Sequence, residues 1–237
     1  AWWTRLWIVP KLRIKSAKFT LTISNSGAKS WIIFLFLSKH LTMLDSFLKF
    51  FELGLYHIVS FSSYDHILFV ILLTLPYVFK DWKRLLILVS VFTLGHTFSL
   101  LLGVYDIVNL NVNVTEWLIP LTIFFAALFN VFSSGKSTPK YSYFILGVVL
   151  FFGLIHGLGF AYAFQSMVSA NESTFLSILE FALGIEIGQL IIVFCVLFIN
   201  FVFQNIFRFS TRDWVMVSSA IILGLMLPLI IQSPLFS

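Results

Sequence analysis

LIIVFCVLFINFVF, residues 190–203, contains no charged residue, and Asn200 is its only strongly polar side chain. A strand of a membrane barrel would alternate between apolar and polar side chains, but this run is apolar on every face, as is LLILVSVF at 85–92. Such a segment suits a helix surrounded by lipid. Of all residues, 59% are hydrophobic and 11% charged, and the mean hydropathy is +1.00, far from the mix of a soluble domain. A bilayer span takes about 20 mostly apolar residues, so the length allows about seven spans.

The sequence predicts seven candidate helices, over 46–60, 64–79, 84–104, 114–133, 141–164, 174–204 and 214–231. The expected fold class is all-α, a polytopic transmembrane helix bundle of six to seven spans. Helix 46–60 is short and carries Lys49, Glu52 and His57, so an interfacial or half-inserted helix would also explain it. Basic residues mark the cytoplasmic side of short loops. Lys80, Lys83 and Arg84 fill one loop, while Lys136 and Lys140, then Arg208 and Arg212, fill alternate ones. The loops around Asp106 and Glu172 have no Lys or Arg. If 46–60 spans, this alternation places the N-terminus in the cytoplasm of a bacterial inner membrane.

Residues 1–42 hold seven of the fifteen Lys and Arg and no acid. The first methionine is Met43, so 1–42 reads as a basic extension that is dispensable or foreign to the native protein, ahead of a single transmembrane domain over 43–237. WIIFLFL at 31–37 is too short to span. The formal net charge of +5 therefore belongs to the tail, and no nucleic-acid partner is expected. The lone cysteine, Cys195, excludes an internal disulfide and any CxxC motif.

An ionisable side chain within the hydrocarbon costs roughly 2.5–3.5 kcal/mol on insertion scales, which makes such residues functional candidates. His57, Asp65 and His66 bracket the turn after 46–60. His96, His156 and Glu186 lie inside later helices, Glu116 opens the fourth, and Gln189 follows Glu186 by three residues. In the assigned orientation Asp65, His66 and Glu116 fall near the outer mouth and the others deeper, as along a cation path. Imidazole with carboxylate suits divalent first-row metals, and the lack of thiolates argues against a tightly held structural ion. Gly153 and Gly157 flank His156, and Gly184 and Gly188 flank Glu186, at a spacing that lets backbones approach. This predicts that His156 and Glu186 meet. Other roles stay open at this point: His57 as an interfacial histidine, Asp65 as a helix cap, Glu52 and Glu180 as structural acids, and the other histidines as packing elements bonded to carbonyls. NVFSSGKS at 130–137 imitates a phosphate-binding loop, but Asn130 replaces its first glycine and no strand precedes it.

Four blocks in order, HIVSFSSYDHILFV (57–70), FTLGHTFSL (92–100), FGLIHGLGFA (152–161) and GIEIGQL (184–190), resemble the HupE/UreJ family, in particular its second branch. The resemblance covers about 45–200. It implies a nickel or cobalt permease associated with hydrogenase and urease maturation, with metal ligands at His57, Asp65, His66, His96, His156 and Glu186. Better-known members have a shorter gap between the first histidine and the Asp-His pair and a proline after that histidine; here seven residues intervene and Ile58 follows His57.

The expected function is a secondary permease that takes Ni2+ or Co2+ from outside as substrate, with no tightly bound cofactor and with Glu116 and Gln189 along the path. The expected partners are the lipid bilayer and a divalent metal ion, with a homo-oligomer and metalloenzyme maturation proteins as further candidates. The alternative is an intramembrane zinc-dependent hydrolase, in which three ligands leave a position for an activated water. Haem between His96 and His156 is a third reading.

Overall fold

A computed structural model of the chain describes residues 27–108, 110–135, 143–169 and 172–233. Most of the basic extension, Lys136 and Lys140 lie outside the described residues. All regular structure among the described residues is helical. The helices are α1 (Gly27–Val59), α2 (Tyr64–Thr74), α3 (Trp82–Val104), α4 (Val112–Ser133), α5 (Tyr143–Met167), α6 (Thr174–Phe201) and α7 (Thr211–Ile231). Short 3-10 turns occupy Phe61–Ser63 and Phe79–Asp81, and a π turn at Val202–Ile206 prolongs α6. The chain divides into two compact units, Ala1–Asp45 and Ser46–Ser237. Of the first, Gly27–Asp45 is described, and it is helical. The second holds the remainder of α1 and all of α2 to α7.

Among the described residues, five helical segments are long and apolar enough to cross a membrane: Phe79–Val104, Val112–Ser133, Tyr143–Met167, Thr174–Ile206 and Thr211–Ile231. The chain is an integral membrane protein. The pair Met43–Val59 and Tyr64–Thr74, bent by 70°, makes a sixth candidate if it counts as one span, and contacts near Lys49 and Leu75 show how it runs. Lys49 donates to the Met167 carbonyl at 3.2 Å and pairs with Glu172 at 2.9 Å, where α5 leads into α6. At the other end, Asn200 donates to the carbonyls of Leu75 and Tyr77, beside the last turn of α6. Hence 46–59 of α1 and α2 run in the same sense as α6, as one broken span. The sequence expectation of two opposed spans over 46–60 and 64–79 is corrected to one, and SFSSYDH lies within a span rather than at a membrane face.

The interruption is tolerated because its backbone groups find partners, without which they would be costly away from water. The Ser60 amide donates to Tyr56 and that of Ser63 to Ser60. α2 stops at Thr74, short of the expected residue 79, because Pro76 brings no N–H to the ladder. Carbonyls in its last turn and just past it are taken up by side chains from other helices, Asn130 bonding Leu72 at 2.8 Å and Asn200 bonding Leu75 and Tyr77. Trp214 of α7 donates to the Asn200 amide oxygen at 2.7 Å. Asn111, Ser173 and Ser210 cap α4, α6 and α7 with their side chains.

Glycines set two close helix crossings. A side chain on Gly153 or Gly157 would run into the α3 backbone at Phe92 or His96, and one on Gly184 would run into the α1 backbone at Phe51. Gly54 mirrors this by facing Phe181 of α6. The glycine pairs thus serve different neighbours, α5 meeting α3 and α6 meeting α1. This corrects the expectation that they join His156 to Glu186: each pair is used up against another helix.

Outside the apolar region, burial would raise the Glu172 carboxyl, but hydrogen bonds from Ser169 and the Lys49 ammonium outweigh it and hold the group below its ordinary value. The pair is half-exposed, and such contacts are worth about 0–1 kcal/mol.

The broken span has a direct check. In a Cys195→Ser background, single cysteines at Lys49 and Tyr105 should react with a membrane-impermeant maleimide from one side, and cysteines at Lys80 and Arg212 from the other. Labelling of Lys49→Cys from the Lys80 side would restore two separate spans.

A candidate metal centre at the broken span

The break folds the chain back on its own histidines. His57 occupies the last turn of α1 and His66 the first turn of α2, and the ring centroids lie 4.6 Å apart. His96, in the middle of α3, is 5.6 Å from His57 and 6.0 Å from His66. One ring nitrogen from each of these three can be chosen so that all lie within 4.8 Å of one another. His156, from the middle of α5, adds a fourth ring 5.1 Å from His66. Exposure is 4%, 4%, 0% and 1% for His57, His66, His96 and His156. The cluster is therefore internal, at about 12 Å from the end of α3, since His96 precedes Val104 by eight residues. The expectation that Asp65 and His66 sit at the outer mouth is corrected, because the break carries them to the depth of His96.

Hydrogen bonds fix two of the rings. The His156 Nδ1 lies 2.8 Å from the Phe152 carbonyl; a carbonyl only accepts, so Nδ1 carries the proton and Nε2 presents its lone pair. His66 Nδ1 lies 3.0 Å from Asp65 Oδ1, which also accepts from the His66 backbone amide at 2.9 Å. A carboxylate behind an imidazole orients the ring and raises its basicity as a ligand. Asp65 therefore stands behind His66, and the nitrogen triad does not include it.

Among the described residues, Nε2 of His66, both ring nitrogens of His96 and Nε2 of His156 are buried without a hydrogen-bond partner. Leaving one such group unpaired costs about 1–3 kcal/mol, so several side by side call for a common partner. The walls described around them are aromatic: Phe160 and Phe181 lie against His57, and Phe69 and Phe92 against His156. A cation is the partner this donor set fits. Neutral imidazoles with no thiolate suit an exchangeable divalent first-row ion. Cys195 is exposed on α6 and is not among the residues that could hold a metal.

The remaining sequence candidates lie apart. Glu186 of α6 is half-buried and accepts from Ser90 of α3 at 2.5 Å. Gln189 is fully buried and its Oε1 accepts from Thr93 at 3.0 Å. Glu116 is half-buried in the early turns of α4, and Glu180 is buried in α6. Sequence reasoning missed Ser90 and Thr93, although Ser90, Thr93 and His96 recur every three residues along one side of a helix. It also missed the aromatic walls, whose signal was spacing: Phe69, Phe92 and Phe160 each stand three or four residues from a site histidine.

The profile of the family described as HupE / UreJ protein matches residues 35–232, most of the chain, and the chain belongs to this family. No curated protein and no solved structure gives a significant match.

If Asp65 acts through His66, Asp65→Asn should weaken binding of Co2+ to the purified protein by about 10–100-fold. His66→Ala should abolish the binding. Equal loss in both variants would make Asp65 a ligand in its own right.

Proposed function

We propose that this member of the HupE/UreJ family is a secondary permease for a divalent transition-metal cation, nickel or cobalt, carried as substrate and not as a resident cofactor. The observation that carries the reading is the triad His57, His66 and His96, buried within one membrane unit, its ligand atoms within 4.8 Å of one another. Charged and metal-binding groups are expensive within hydrocarbon and mark ion pathways there. A discontinuous helix near the midplane is a recurring way to build a transport site, since the chain end of each half faces the ion. His156 completes the nitrogen set, Asp65 orients His66, and Glu186 with Gln189 receives the ion on the inward side. Glu116, near the start of α4, belongs to the outer approach.

With the basic loops in the cytoplasm of a bacterial inner membrane, Lys80, Lys83, Arg84, Arg208 and Arg212 mark the inner face. Lys49 and Glu172 then lie at the outer face. The start of the second unit is outside in this arrangement, in place of the cytoplasmic N-terminus that seven spans require. The inward destination would be the metal-delivery proteins of hydrogenase or urease maturation, and the permease would work as one copy or as a homo-oligomer.

Accumulation of radioactive nickel and of cobalt in cells, at matched membrane expression, tests the reading. Uptake should exceed the empty vector for at least one of the metals and return to background in His66→Ala and His156→Ala. No uptake of either metal, together with zinc that survives purification, would favour the intramembrane hydrolase instead.

A further inference from the structure

The crossing of α3 and α6 holds a second polar group of side chains. Ser90 and Thr93 precede His96 on α3, toward the end of that helix that carries Lys83 and Arg84. Opposite them on α6 stand Glu186 and Gln189, one turn apart. Ser90 bonds Glu186 and Thr93 bonds Gln189. Thr93 and Gln189 are buried, Gln189 completely, and the Gln189 Nε2 has no hydrogen-bond partner among the described residues.

Thr93 explains why that orphan matters. Its Oγ1 lies 3.0 Å from Gln189 Oε1 and 3.1 Å from the Val89 carbonyl, yet a hydroxyl has one proton to donate. When the proton goes to Gln189, the amide turns its N–H2 into the unpaired position, which repels a cation. When it goes to Val89, the Thr93 oxygen is free to accept. The amide can then rotate by half a turn, donate Nε2–H to Thr93 and present its carbonyl oxygen where the N–H2 had been. The two ends of a carboxamide have nearly the same size, so both arrangements fit one space. Each leaves one buried group unpaired, and only the second leaves an oxygen that a cation satisfies. A ligand shifts such a pair of states by its differential affinity.

We propose that Gln189, with Glu186, Ser90 and Thr93, forms an oxygen-lined transfer site for the divalent cation, and that rotation of the Gln189 amide opens it. This rests on the permease reading of the histidine cluster. The ion passes from imidazole nitrogen to a carbonyl, two hydroxyls and a carboxylate, which hold a first-row divalent metal less tightly than imidazole does. Conduction needs sites strong enough to enter and weak enough to leave. The histidine cluster supplies the first property and the oxygen site the second.

The test uses the full chain in lipid nanodiscs for Co2+ binding, read from cobalt absorption, and in proteoliposomes for Co2+ uptake. Gln189→Leu keeps the size and removes the oxygen. It should leave the cobalt absorption and its Kd within about twofold while uptake falls about tenfold or more, a loss confined to transfer. Thr93→Val, which keeps shape and removes the hydroxyl that steers the amide, should also lower uptake at unchanged binding, and Thr93→Ser should restore it. Wild-type uptake in Gln189→Leu would overturn the transfer site and leave the permease intact. Cobalt binding lost in Gln189→Leu would make it a structural or histidine-site residue and also overturn the proposal. If the wild type shows no cobalt absorption that His66→Ala removes, the permease reading itself falls and the transfer site with it.

Discussion

A helix that stops inside a hydrocarbon layer exposes amides and carbonyls to a medium that cannot bond them. The first span of the second unit does stop there, between Val59 and Tyr64, and much else answers that constraint. Local turns satisfy the amides of Ser60 and Ser63, and Asn130 and Asn200 reach across to the far end of α2. Gly54 and Gly184 let α1 and α6 touch backbone to backbone beside the break. In return the chain gains two histidines, nine positions apart, within ring contact. An unbroken helix would place them about 13 Å apart along its axis.

Much of this was legible in the residues. All-round apolar runs such as 190–203 announce lipid-facing helices, and α3, α4, α6 and α7 begin or end within a few residues of their expected limits. The break was not legible. SFSSYDH has the polarity of a surface turn, and neither period nor charge tells a turn at the membrane face from one at the midplane. The error then spread: with one reversal too many, 46–60 and 64–79 were read as running in opposite senses, although Lys49 lies beside Glu172 and Leu75 beside Asn200. The limits of α5 also shifted, since Gln165, Ser166 and Met167 look like loop residues yet continue the helix.

The site was readable in kind and not in arrangement. Intramembrane His, Asp and Glu stand out by their cost alone, and four of them do converge as imidazoles. Which carboxylate would touch a metal could not be read from spacing. Asp65 adjoins His66 in the chain and supports its ring, whereas Glu186 turns to Ser90. The glycine pairs were recognised as contact signals, but a small-residue motif specifies that a helix is approached and is silent on which neighbour approaches.

The unequal construction of the cluster has a mechanical consequence. His96 and His156 ride on α3 and α5, where Gly95, Gly153 and Gly157 bring backbone against backbone. These two rings form a fixed gauge. His57 follows Gly54, which lies against the Phe181 backbone of α6, and a turn of a few residues joins it to His66. One glycine crossing thus sets the spacing of His96 and His156 and another holds the helix of His57, which leaves a few residues of turn to place His66 among them.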